Sequence, residues 1–242
     1  MTDATEAAAA EGSPDAVSVE SNAGSSHEAA PDARRRGLFV TLEGGDGSGK
    51  STQAALLEEW LVSSGNTVVR TREPGGTEFG LEVREIVLHS RGFITPRAEA
   101  LLYAADRAQH IATKVRPALE RGDIVIQDRY IDSSVAYQGS GRVLGPAEIR
   151  SLSEWATEDL VPDLTVLIDL DESAARARLD GDQKRFDRLE AEKDDFHKRV
   201  RQSFLTIAAA DPDRFIVVDG TAQPAEIAAQ VRARLEPLLR RD

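Results

Sequence analysis

The sequence predicts a three-layer α/β/α domain built on a five-stranded parallel sheet. Two observations carry that prediction. Five short runs are apolar at successive positions, as strands covered on both faces must be. Each run is separated from the next by a stretch of helical periodicity, which the crossovers between parallel strands require.

The elements follow in order. LFVTLE (38–43) is the first strand, and Lys50 to Ser63 is a helix with Leu56, Leu57, Trp60 and Leu61 on one face. NTVVRT (66–71) is the second strand. A long helical pattern runs from Arg97, just after Pro96, to Glu120 and stops at Gly122. DIVIQD (123–128), LTVLID (164–169) and RFIVVD (214–219) are the remaining strands, and a last helix lies near Ala225 to Leu239. Trp60 and Trp155 are expected in the core. His89, His110 and His197 lack metal-ligand company and are expected at the surface or in helix packing. Residues 1–36 are rich in Ala, Ser, Glu, Asp and Pro and hold no aromatic ring. Such a stretch cannot offset its ordering entropy, so a disordered tail is expected there and one domain over 37–242.

Composition narrows the function. The 242 residues carry 42 acidic and 30 basic side chains, a net charge of −12, which argues against a nucleic-acid partner. The absence of cysteine excludes a disulfide scaffold, a thiolate metal site and a cysteine nucleophile. No apolar run approaches the ~18–20 residues of a membrane span. The acidic first residues do not fit a secretory signal or a transit peptide. A cytoplasmic protein without a membrane partner is expected.

The first strand runs into GGDGSGKS (44–51), which matches G-x-x-x-x-G-K-S/T and opens a helix. Gly44, Gly45, Asp46, Gly47, Ser48 and Gly49 let successive backbone N–H groups turn toward phosphate oxygens, and the helix N-terminus adds positive partial charge. Lys50 can reach the β- and γ-phosphates, and the Ser51 hydroxyl can ligate Mg2+. A nucleoside triphosphate is the expected ligand. A GTPase would also carry an N/T-K-x-D base-reading segment, and none occurs.

Four further segments combine basic and aromatic residues. TREPGGT (71–77) follows the second strand at the sheet's carboxyl edge, where ligands of such folds sit. LLYAADR (101–107) places Tyr103 and Arg107 four apart on one helical face. QDRYIDSSVAYQG (127–139) supplies Asp128, Arg129, Ser133, Ser134, Tyr137 and Gln138. An arginine-rich stretch runs from Arg176 through Arg178 and Arg185 to Arg188.

With EGGDGSGKST (43–52), PDLTVLIDL (162–170) and FDRLE (186–190) added, the chain from about Leu38 onward closely resembles bacterial thymidylate kinase, a P-loop nucleoside monophosphate kinase. The resemblance implies transfer of the γ-phosphate of ATP to dTMP, giving dTDP for dTTP synthesis. It also implies a P-loop NTPase-type sheet, magnesium, a mobile lid and a homodimer. Tyr103 would stack on thymine, and Arg107, Gln138 and Ser134 would meet its edge. Tyr137 would line the same site. Arg72 and Arg129 would hold the dTMP phosphate as guanidinium forks. Asp46 would accept from the 3′-hydroxyl, and Asp128 would hold magnesium through water. The Glu73–Pro74 bond resembles the family's cis peptide. Arg84 and Arg142 match family segments too, with structural pairing an equal alternative.

Two departures matter. Gly47 and Ser48 stand where some family members place an arginine, and Tyr103 stands where phenylalanine is usual. The charge that meets the transferring phosphoryl should therefore come from the lid: Arg185 first, then Arg178, with Arg188 as a hinge or an anchor paired with Glu190 or Asp187. No nucleophilic side chain is expected, because phosphoryl transfer needs positioning and charge neutralisation. The alternatives are a deoxynucleoside kinase or another pyrimidine monophosphate kinase and, from a different class, a non-catalytic nucleotide-binding module.

Overall fold

In the computed structural model, which describes residues 36–181, 188–190 and 192–240, the five apolar runs become five strands. They are β1 (Phe39–Glu43), β2 (Val68–Arg72), β3 (Ile124–Asp128), β4 (Leu164–Asp169) and β5 (Phe215–Asp219). All pair in parallel, in the order β2-β3-β1-β4-β5. From the central β1 the chain runs to β2 and β3 on one side and to β4 and β5 on the other. That reversal opens a crevice at the carboxyl ends of the strands. The expected tail lies outside the described residues except for Arg36, which pairs with Asp163.

Side chains alternate along each strand and so divide the core. On one face, Val40, Leu42, Ile126, Val166 and Ile168 pack against Leu57 and Leu61 of α1 (Lys50–Ser63) and Val231 and Leu235 of α9 (Pro224–Leu239). Truncating one of these, for example Leu61→Ala, should cost about 2–5 kcal/mol. The other face carries Phe39, Val125 and Leu167. It is covered by α2 (Glu78–His89), α3 (Pro96–His110), α8 (Asp194–Ala210) and the helical segments around residue 135. Thr41, Glu43, Gln127 and Thr165 lie on the same face, fully buried, and the Thr41 and Thr165 hydroxyls meet at 2.9 Å.

Three details depart from expectation. The helix expected from Arg97 to Glu120 is α3, a π-helical turn at Ile111–Val115 and α4 (Arg116–Glu120). Pro117 has no N–H to give the carbonyl four residues earlier, and the wide turn ends where the proline begins. A second π segment, Val135–Gly141, continues the short helix α5 (Ile131–Ser134). Trp155, expected in the core, is 80% exposed on α6 (Pro146–Thr157). That helix buries Ile149, Ser153 and Ala156, and position 155 turns away from their stripe. Trp60 is half-buried against the core.

Candidate active site

The phosphate loop occupies the turn between β1 and α1. Gly44, Gly47 and Gly49 have φ of 136°, 75° and 104°, values that side chains rarely permit. A Cβ on Gly44 would also lie 2.5 Å from the Ile168 carbonyl oxygen of β4. Gly49 caps α1 without a side-chain hydrogen bond, and no acid stands in the first turn. Elsewhere Thr77 and Thr95 cap α2 and α3 with their hydroxyls. The first N–H groups of α1 are thus left to an anion. Lys50 is buried and its Nζ donates to the carbonyls of Gly44 (3.2 Å) and Gly45 (2.7 Å), beside the space the loop encloses. Burial, with the Arg129 charge nearby, lowers the Lys50 pKa against the pull of Asp128, Asp46 and Glu43.

One cleft of about 910 Å³ extends from this loop across the carboxyl edge of the sheet. At its near end Ser51 Oγ donates to Asp128 Oδ2 at 3.4 Å. The other Asp128 oxygen, Oδ1, is buried without a hydrogen-bond partner among the described residues. Those residues contain no group of three or more His, Cys, Asp or Glu side chains able to hold a metal. A cation here would take Ser51 and Asp128 from the protein and its remaining ligands from phosphate and water. A carboxylate beside the Ser51 hydroxyl, with one oxygen unpartnered among the described residues, fits such an ion.

Toward the donor side, Arg178 on α7 (Glu172–Gly181) reaches the carbonyls of Ser48 (3.5 Å) and Gly220 (2.8 Å). Gln53 of α1 donates to the Pro224 carbonyl at 2.9 Å and ties the start of α9 to the phosphate-loop helix. Arg185 lies outside the described residues. Arg188 is an anchor: its Nε donates to the Val87 carbonyl at 2.8 Å and its Nη2 to Glu99, while Asp187 lies outside the described residues.

Toward the acceptor side, Arg129 has φ of 67° and binds four groups of the site. It donates to Asp46, to the Gly44 carbonyl (3.1 Å), to Ser133 Oγ (3.0 Å) and to the Tyr137 hydroxyl (3.3 Å), with its guanidinium 5.0 Å from the Tyr137 ring centre. Tyr137 in turn donates to Asp46 at 3.0 Å. Burial alone would raise the Asp46 pKa, but the Arg129 and Lys50 charges and the Tyr137 bond hold it down at about 2. Arg72 ends β2 in register with Asp128 and lines the cleft, next to a cis Glu73–Pro74 bond. Tyr103 is buried among Val83, Val87, Tyr137 and Leu189 and also lines the cleft.

Arg107, Ser134 and Gln138 line the same wall, mostly engaged with the protein itself. Arg107 is 2% exposed and gives four of its five N–H groups to Glu73 (2.7 Å), Ser153 (3.1 Å), the Tyr130 carbonyl (3.2 Å) and Ser134 Oγ (3.0 Å). Gln138 donates to Glu99 at 2.9 Å.

Sequence reasoning missed the acids beneath this wall. Glu99 is fully buried and gathers Gln138, Arg142 and Arg188. Glu73 binds Arg107 and His110, and the other His110 nitrogen lies 2.7 Å from Thr71 Oγ1. His110 is therefore a fully buried link between α3 and the 71–77 segment rather than general helix packing. The spacing 99, 103, 107 on one helical face could have revealed Glu99. Burial of Glu73 has no local signature.

A thymidylate kinase family model matches residues 42–231. The thymidylate kinase of Leifsonia xyli subsp. xyli is 67% identical, over 84% of this chain and 96% of its own. That of Bifidobacterium longum subsp. infantis is 51% identical, over 84% of this chain and 88% of its own. The crystal structure of thymidylate kinase from Ehrlichia chaffeensis superposes with a TM-score of 0.67 at 34% identity, covering 82% of this chain and 98% of that one.

Proposed function

The chain belongs to the thymidylate kinase family, and on that premise we propose how its residues phosphorylate dTMP to dTDP, with ATP as the donor. The carrying observation is the continuity of one cleft from Lys50 and Ser51 to Arg129, Tyr103 and Gln138, which lets two nucleotides meet end to end.

The acceptor's own phosphate is the nucleophile, so the protein's work is to orient and to neutralise. The N–H groups of the phosphate loop and of the first turn of α1 receive the β- and γ-phosphates, and Lys50 exchanges loop carbonyls for phosphate oxygens. Ser51 and Asp128 would hold a magnesium ion, which would offset developing charge on the phosphates. Arg72 and Arg129 clamp the dTMP phosphate. Asp46, kept ionised by Arg129, accepts from the sugar 3′-hydroxyl. Tyr103 and Tyr137 line the base and sugar, while Gln138, Ser134 and the remaining Arg107 N–H meet the thymine edge. Arg178, already bonded to the loop at Ser48, and Arg185 supply charge to the transferring phosphoryl, with closure of the lid excluding water. Residues 37–242 form the catalytic domain, and the tail is dispensable for chemistry.

Pairing of two chains as a homodimer is supported by the large apolar side chains that α2 and α3 leave near half exposure, Phe79, Leu81, Ile86 and Leu101. No helix among the described residues is long and apolar enough to cross a membrane, and a cytoplasmic enzyme fits that. The test is ADP release against a panel of nucleoside monophosphates. dTMP should be the best acceptor, with dUMP ~10–200-fold weaker for want of one methyl contact. If AMP or thymidine outperforms dTMP, the acceptor assignment falls.

A further inference from the structure

Glu43 ends β1, is fully buried, and takes no part in the steps above. A carboxylate closed off from water needs donors. They come from the chain just after β3. Glu43 Oε1 accepts from the backbone N–H of Tyr130 at 2.8 Å and of Ser133 at 3.3 Å, and Oε2 accepts from the Ser133 hydroxyl at 2.6 Å. The residue that caps α5 makes no side-chain cap of its own, so the strand supplies it.

The Ser133 hydroxyl has a single proton. Given to Glu43, it leaves only lone pairs on Oγ, and Arg129 Nη1 donates to them at 3.0 Å. The Tyr130 N–H held by Glu43 belongs to the peptide that follows Arg129, whose φ of 67° is uncommon for a residue with a side chain. One carboxylate therefore fixes both the backbone turn at Arg129 and the hydroxyl that receives its guanidinium. We infer that Glu43 is a positioning residue for the acceptor phosphate, acting through the Ser133 hydroxyl to aim Arg129. This rests on the reading that Arg129 holds that phosphate.

The charged surroundings agree. Asp132, next to Glu43, is occupied by Arg214 at 2.7 Å and Arg150 at 3.7 Å, which leaves Ser133 and the backbone to Glu43. Burial first, then the Asp132 charge, push the Glu43 pKa up to about 7, against the bonds from Ser133 and Tyr130 and the charge of Arg129.

The experiment is calorimetric titration of the full chain with dTMP and with thymidine at pH 8, above the raised Glu43 pKa. Ser133→Ala and Glu43→Gln should each weaken dTMP roughly tenfold, the worth of one hydrogen bond to a charged group. Thymidine, which has no phosphate, should change less than twofold. The double variant should lose no more than the worse single, because both act on one path. If Glu43→Gln does not fold, Ser133→Ala decides alone. Unchanged dTMP affinity in the folded variants, with Arg129→Ala losing it, overturns the role of Glu43 and leaves that of Arg129. Equal losses for dTMP and thymidine overturn it as well, since the residue would then be structural. If Arg129→Ala keeps its dTMP affinity, the assignment of Arg129 fails, and the inference with it.

Discussion

Replacing Glu99 by glutamine should reduce both stability and acceptor binding. Glu99 is fully buried on α3 and accepts from Gln138, from Arg142 at 3.2 and 3.3 Å, and from Arg188. Burial would raise its pKa, but these bonds outweigh burial and lower it, so it is a carboxylate at neutral pH. An amide in its place points an N–H₂ at a guanidinium. Breaking one side of a buried pair costs about 3–5 kcal/mol. Arg142 and Arg188 keep 16% and 22% exposure, and Arg142 retains Glu192, so the discounted cost is about 2–3 kcal/mol. At ~2–4 °C per kcal/mol for a domain of this size, the melting temperature should fall by roughly 4–12 °C. With the remaining oxygen kept on Arg188 and Arg142 Nη2, the N–H₂ takes the place of Oε1 and Gln138 loses its acceptor, so the KM for dTMP should rise. The control is Glu192→Gln, which removes the more exposed partner of Arg142 and should shift melting little. Differential scanning calorimetry and initial-rate assays read both effects. A Glu99→Gln protein melting within 2 °C of the parent, with unchanged KM, would refute the view of Glu99 as the hub of this wall.

Three further outcomes are expected. Asp128→Asn should lower kcat at least tenfold and raise the magnesium requirement while changing melting little, because its side-chain hydrogen bond to Ser51 is a long one at 3.4 Å; magnesium titrations of rate and a melting curve decide it. Asp46 has a folded pKa of about 2 against an ordinary 3.8, so its contribution to stability is full above about pH 4 and is lost as pH falls toward 2. Asp46→Asn should accordingly be less stable than the parent at pH 7 and converge on it as pH falls through about 2, as acid-titrated unfolding would show. Deletion of residues 1–33 should leave turnover and melting nearly unchanged, and a large loss of either would assign the tail a part in the domain.

Much of the fold was legible because parallel strands buried on both faces must be apolar at successive positions, and a 3.6-residue period sets α1 and α9 apart from them. The phosphate loop was legible for a similar reason: Gly44, Gly47 and Gly49 serve a backbone that few other residues can adopt. What escaped depends on tertiary surroundings. Nothing next to Glu43 or Glu73 in the chain says that each will be buried under backbone donors or arginine, and only the 99, 103, 107 spacing points to Glu99. Trp155 looked like core because aromatic rings usually are, yet its angle on α6 turns it outward. Residue propensities do not encode the wide turns at Ile111–Val115 and Val135–Gly141. Arg185 remains an expectation drawn from sequence.

The π segment at Val135–Gly141 gives chain length a meaning here that residue identity does not capture. Ser133, Ser134, Tyr137 and Gln138 face the cleft from this continuous helical stretch, and beyond it Arg142 must come back to Glu99. Gly139 and Gly141 pass so close to Pro146 and Phe196 that a Cβ would lie 2.9 and 2.6 Å from them. Losing or gaining one residue here would rotate everything downstream by about 100°, carrying Arg142 from its acid and the glycines from their close approaches. The exposed turn between α2 and α3, around Phe93, has no such register to keep. Insertions and deletions should therefore collect in that turn, while the Val135–Gly141 stretch changes by substitution alone.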